Sequence, residues 1–219
     1  MDRITEAFVW PVRDPEWVTK ILIIGLIYLI PIVGPINGIG WMLGSLDRLR
    51  AGEERLAPAN LTHLGRGARV FVVELVYALI LVAVGLLLYI PGVTIAIQQN
   101  HGQGNPALIA VALLLNLGAF GVFTLGSLAL TFMLPAVILA TDGGGIGAGL
   151  RIGDVLARSR ANPTNTLIAG LMLIAASFVS SLGVIACGIG IVFTAAYSLA
   201  MQAWIIHSFE IGSTTPKAG

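Results

Sequence analysis

Apolar and polar positions along this chain fall into long blocks rather than short alternations. The first apolar block, residues 22–46 (LIIGLIYLIPIVGPINGIGWMLGSL), is interrupted near its middle by Pro31, Gly34 and Pro35. A second block covers 67–90 and holds one acidic residue, Glu74. A third, 107–140, carries no charge, and a fourth, 164–209, weakens only at the GVIACGIG stretch of Gly183 to Gly190. About 20 apolar residues are needed to cross hydrocarbon as a helix. The blocks therefore predict spanning helices at 67–90, 107–140, 164–182 and 188–209, with a tight turn between the last two. The expected fold class is all-α: one polytopic helical membrane domain over 1–219, with four full spans and an N-terminal broken helical hairpin at 18–46.

The broken run admits two readings, a single kinked span or a re-entrant hairpin. Freed backbone groups at Pro31 and Gly34-Pro35 need protein or water as partners at mid-depth. Each half is only about 13 residues, short for a crossing. Arg3, Arg13 and Lys20 precede the run, while Arg48, Arg50, Arg55, Arg66 and Arg69 follow it. Basic residues favour the cytoplasmic side, so both ends are expected in one compartment and the hairpin is the better fit. The connector 91–106 has no charged residue and is expected outside. With Arg151, Arg158 and Arg160 in the next loop and Lys217 in the tail, all twelve basic residues then lie on one side. That arrangement predicts cytoplasmic N- and C-termini.

Composition agrees with the pattern. Hydrophobic residues make up 57% of the 219, charged residues 11%, and the mean hydropathy is +0.92, against about 25% charged residues in a soluble domain. A cleavable secretory signal is not expected, because residues 1–16 are charged on both sides of a short aromatic patch. Residues 1–20 instead read as an interfacial segment, with Trp10 and Trp17 at headgroup level and Pro11 and Pro15 preventing one continuous helix. Residues 141–163 read as a cytoplasmic amphipathic loop, its apolar Leu150, Ile152, Val155 and Leu156 set against Arg151, Asp154, Arg158 and Arg160.

The chemistry-bearing residues do not assemble a catalytic motif. Cys187 is the sole cysteine, so neither an internal disulfide nor a thiolate cluster is possible. His63, His101 and His207 fall on separate segments without a partner at metal or triad spacing, so no catalytic residue, metal or cofactor is expected and the chain is not read as an enzyme. The glycines at 143, 144, 145, 147 and 149 lack the Gly-Lys-Ser/Thr ending of a phosphate loop. A net charge of +1 gives no reason to invoke nucleic acid. Glu74 is costly in a span unless it pairs, with Arg69 or another base, or faces water. Candidate pathway-lining residues are Gly34, Pro35, Asn37, Gly38, Gly40, Glu74 and Asn116. Candidate lipid-headgroup contacts are Trp10, Trp17, Arg151, Arg158 and Arg160.

Several short stretches resemble a known family. Phe8-Val9-Trp10-Pro11, Asp14-Pro15-Glu16-Trp17 and Ala51-Gly52-Glu53 are similar to the beginning of a prokaryotic membrane family known only as a domain of unknown function (number 4013). Gly149-Leu150-Arg151-Ile152-Gly153-Asp154-Val155 with Ala161-Asn162-Pro163 resembles its central loop. Gly188-Ile189-Gly190, Phe193-Thr194-Ala195-Ala196-Tyr197 and Gln202 resemble its last helix. The family's usual proline after the first-loop leucine is displaced here, to Leu56-Ala57-Pro58. The resemblance implies a multi-pass protein of the prokaryotic inner (cytoplasmic) membrane and assigns no activity.

Three non-enzymatic roles follow from the pattern. A broken helix at mid-membrane suits an oligomeric, channel-like pore built from several copies, the first expectation. A re-entrant hairpin beside a basic amphipathic helix suits a scaffold or lipid-interacting protein that engages anionic lipid and shapes the membrane. A small secondary carrier is the third. The expected partners are the bilayer, further copies of the chain and anionic lipid.

Overall fold

A computed structural model of the chain describes residues 2–99, 104–185 and 189–214. His101, Cys187, Gly188 and Lys217 lie outside the described residues. Every element among the described residues is helical: α1 (Asp2–Val9), a 3-10 turn (Trp10–Arg13), α2 (Trp17–Tyr28), α3 (Val33–Arg50), α4 (Leu64–Gln99), α5 (Pro106–Gly149), α6 (Ile152–Ala161), α7 (Pro163–Ile185) and α8 (Ile189–Thr214). Among the described residues, four stretches are long and apolar enough to cross a membrane: Leu64–Gln99, Pro106–Gly149, Pro163–Gly183 and Gly190–Ser213. The protein is a multi-pass helical membrane protein.

The chain divides into two compact units, Met1–Val73 with Phe132–Gly219, and Glu74–Thr131. In the first unit α7 and α8 pack along each other, and α2 and α3 both lie against α8. Glycine sets how closely. A Cβ on Gly25 of α2 would stand 1.6 Å from the Val192 carbonyl oxygen of α8, and one on Gly183 2.1 Å from Thr194 Oγ1. Small residues of this kind let helices meet backbone to backbone where hydrophobic association is weak. Polar side chains supplement the contact: Ser198 Oγ donates to the Ala176 carbonyl (2.8 Å), and Asn165 Nδ2 donates to Phe209 O (2.9 Å).

The second unit is the central part of α4 and the first part of α5. Here side chains seat over glycines, Phe123 over Gly85 and Leu81 over Gly126. Outward positions such as Leu79, Leu87, Leu113, Leu117 and Phe120 are exposed, as lipid-facing positions of a span are.

Three expected boundaries shift. The span expected at 67–90 continues to Gln99 with Pro91 inside it, so much of the expected external connector is helix. Proline removes one ladder bond, and the apolar Val93, Ile95 and Ile97 carry the segment on. The span expected to end at 140 runs to Gly149, with a break at Gly145 (φ 75°, ψ −174°), a conformation open to glycine. The amphipathic stretch within the expected 141–163 loop is α6, ten residues long.

Candidate functional site

Residues 17–50 fold as two packed helices. α2 ends where Pro31 denies the next turn its donor, and α3 restarts at Val33. Between them Val33 N–H donates to Pro31 O (2.7 Å), a three-residue turn centred on Ile32 at φ 67°, ψ −55°. A β-branched residue in that region is strained. The pair then closes tightly: a Cβ on Gly34 would lie 2.4 Å from Ile27 O. α2 buries Ile21, Ile24 and Gly25 against the bundle. Its other face and the tip, Leu22, Ile23, Leu26, Leu29, Ile30 and Ile32, are exposed, Ile32 at 69%.

The open end of this pair is tied together. Asp14, 2% exposed, accepts from Lys20 Nζ (2.7 Å), from Glu16 N–H (2.8 Å) and from Leu56 N–H (2.8 Å), beyond the far end of α3. Lys20 also donates to Leu56 O (3.3 Å), and Arg13 pairs with Glu54 (2.6 Å) and Glu6 (2.7 Å). Burial works to raise the Asp14 carboxyl, but Lys20 and the two backbone N–H groups outweigh it and hold it below the usual carboxylate range. The loop is fixed further by Trp41 Nε1 donating to Ala57 O (3.0 Å) and Ala57 N–H donating to Ser45 Oγ (3.1 Å).

A second charged cluster joins four helices. Arg66 of α4 grips Asp142 of α5 in two parallel bonds (Nε–Oδ1 2.6 Å, Nη2–Oδ2 2.8 Å) and also binds Asp47 of α3 (Nη2–Oδ1 3.0 Å) through two nitrogens. Arg50 makes the same two-pronged contact with Glu210 of α8 (2.8 and 3.0 Å) and reaches Asp47 (3.1 Å) and Asp142 (3.3 Å). Planar guanidinium suits such forks. For Asp47, burial raises the carboxyl while Arg66 and Arg50 lower it further, so the net direction is down. This clasp gathers the end of α3, the start of α4, the C-terminal part of α5 and the end of α8 at one level.

The structure redistributes the expected site residues. Gly34, Asn37, Gly38 and Gly40 are buried among protein atoms. Gly38 faces Leu199 and Tyr28, a Cβ on Gly40 would lie 2.0 Å from His63 O, and Asn37 Nδ2 donates to Asn60 O (2.9 Å). Pro35 is half-buried. Within the chain these positions serve as packing contacts of the bundle. Asn116, in the second unit, donates to Ala112 O (2.8 Å) and borders a small cavity with Gln99 and Ala96. Glu74 is half-exposed, and among the described residues no basic group lies within salt-bridge distance of it; the expected pairing with Arg69 is absent. Trp10 is corrected as a headgroup contact. It is 1% exposed and its indole N–H donates to Ala200 O (3.1 Å), because the 3-10 turn tucks it under α8. Trp17 meets Phe193 edge-on (centroids 5.7 Å). Arg151, Arg158 and Arg160 are exposed on or beside α6.

Sequence reasoning treated the basic residues as a topology count and missed their partners Asp14, Asp47, Asp142 and Glu210. A weak signal existed, since each acidic residue sits at the edge of an apolar block. The pairing itself joins positions as far apart as 160 residues, which spacing does not reveal.

Comparison with the curated proteins and with the solved structures gave no match. The family model described as "Protein of unknown function (DUF4013)" matches residues 23–189, most of the chain and all of the helices from α3 to α7. The chain belongs to this family of unknown function.

Proposed function

We propose that the protein is a non-enzymatic membrane scaffold whose α2–α3 hairpin wedges into one leaflet and returns to the side it entered from. One observation carries the reading: the two ends of the hairpin are bonded to each other while its tip and outer face are bare and apolar. Arg13 and Glu54 are 2.6 Å apart, whereas hydrocarbon is about 30 Å thick, so these residues share a membrane face. The twelve residues of α2 rise about 18 Å and the apolar part of α3 about 21 Å, enough to fill one leaflet and too little to cross the bilayer. Apolar volume inserted in one leaflet favours curvature. The exposed arginines of α6 lie on the charged side and suit anionic headgroups.

The scaffold reading is stronger than the pore reading. The backbone expected to line a passage is packed against α2, α8 and the 60–63 loop, so a conduit would need surfaces other than Gly34 to Gly40. Positive flanks support a cytoplasmic location for the charged side and both termini, in a prokaryotic cell. Several copies acting together would amplify the wedge, and a homo-oligomer is the expected form.

The test combines topology with membrane shape. In a Cys187→Ser background, single cysteines at Glu16 and Glu53 should react with an impermeant maleimide from the same face, and one at Ile32 should be protected. Dense reconstitution should tubulate or narrow vesicles, and Leu26→Asn with Leu29→Asn should abolish this. Labelling of positions 16 and 53 from opposite faces would overturn the hairpin. Spherical vesicles that instead leak ions or small solutes would restore the pore.

A further inference from the structure

The kinked end of α5 and the face of α6 beside it border an open cavity of about 360 Å³, lined by Leu139, Ala140, Gly143, Gly144, Asp154 and Arg158 among others, with the Asp154 side chain 74% exposed. Its volume is in the range of small-ligand sites. Asp154 and Arg158 are four apart on α6, a spacing at which opposite charges ordinarily pair. They do not: Asp154's ion-pair contact is a loose one with Arg151 at 4.0 Å, and among the described residues no carboxylate lies within salt-bridge distance of Arg158. An unpaired guanidinium and a nearly free carboxylate thus border one cavity. Across from them stand Gly143, Gly144 and Ala148, with the Ala148 methyl filling the space beside Gly144. A Cβ at Gly143 would meet open space, so neither close packing nor a positive φ accounts for glycine there, although glycine costs a helix about 1 kcal/mol relative to alanine. Leu139, Ala140 and Val155 supply an apolar floor.

From this arrangement we infer that the cavity is a headgroup site for an amine-bearing glycerophospholipid. Arg158 binds the phosphodiester and Asp154 the primary ammonium. The open space at Gly143 admits the headgroup, and the apolar floor receives the glycerol end of the acyl chains. A purely anionic ligand would meet Asp154 unfavourably, whereas a zwitterion satisfies both charges. The inference rests on the lipid-engaging reading above and goes further by naming the headgroup chemistry.

The experiment uses the full chain reconstituted in phosphatidylcholine vesicles doped with either phosphatidylethanolamine or phosphatidylglycerol, then extracted gently and weighed with its retained lipid by native mass spectrometry. Phosphatidylethanolamine should be retained about tenfold over phosphatidylcholine, the ratio expected for one charge-assisted hydrogen bond of about 1.5 kcal/mol. Asp154→Asn should erase that preference while leaving total phospholipid retention, and Arg158→Gln should lower retention of every phospholipid. Equal retention of the ethanolamine and choline lipids would overturn the inference, as would preference for phosphatidylglycerol. Displacement of the lipid by inorganic phosphate would reassign the cavity to the free anion. Tubulation is scored on the same vesicles. Selectivity lost with tubulation intact counts against this site alone; tubulation lost with selectivity intact counts against the scaffold.

Discussion

Replacing Arg66 by Met removes the guanidinium of the four-helix clasp while keeping an unbranched apolar stem. Asp142, whose side chain is 8% exposed, would lose both its short bonds and keep one contact to Arg50 at 3.3 Å. Asp47 would keep Arg50 at 3.1 Å. Breaking a fully buried pair costs about 3–5 kcal/mol, and an exposed pair is worth about 0.2–1 kcal/mol. Arg66 is 34% exposed, so solvent screening cuts the buried figure to about 2 kcal/mol. At roughly 2–4 °C per kcal/mol for a chain of this size, the apparent melting temperature in detergent should fall by roughly 4–8 °C. Arg69→Met supplies the control. That arginine is exposed and has no acidic partner among the described residues, so its loss should stay within about 0.5 kcal/mol. The decisive quantity is the coupling between Arg66→Met and Asp142→Asn in a double-mutant cycle, expected near 1–3 kcal/mol. Equal losses for Arg66 and Arg69, or additivity of the Arg66 and Asp142 changes, would refute the clasp as a joint between helices.

The other expectations use different readouts. Asp14 and Asp47 are held below their ordinary range, so their stabilisation is full above the unfolded carboxylate range near pH 4 and is lost as pH falls through the lower folded values. Cysteine accessibility at the base of the hairpin should therefore rise only below about pH 4, and opening between pH 5 and 7 would contradict this. Ile32→Gly relieves a strained φ and should raise the apparent stability by about 1 kcal/mol, measured by thermal unfolding; a loss of that size would mean the turn is not as described. Gly40→Ala should sharply lower the yield of folded protein, because its methyl would lie 2.0 Å from His63 O, whereas Gly143→Ala faces open space and should be neutral or stabilising.

The class of fold was legible because hydrocarbon imposes a length: apolar blocks of spanning size and rare charges leave few alternatives. Helix ends were less so. Pro91 reads as a stop, yet a bilayer rewards continuing the helix over exposing backbone, and Val93 to Ile97 are apolar enough to allow it. Trp10 shows a different limit. Its composition suits an interface, but whether an indole faces lipid or a carbonyl on α8 depends on a contact across 190 residues.

Glycine explains how several expected pathway positions come to be packing contacts. Gly34, Gly40, Gly143 and Gly147 are alike in sequence, each a small residue in a glycine-rich helical stretch. At Gly34 and Gly40 an added methyl would collide with a neighbouring carbonyl; at Gly143 and Gly147 it would meet nothing. The first kind brings helices together, and only the second leaves backbone available to something outside the chain. Spacing does not separate them, because the difference lies in what the opposing helix presents. The place to seek a ligand therefore moves from the middle of the broken hairpin to the end of α5. There Gly143 borders the same cavity as Arg158, with open space where a side chain would stand.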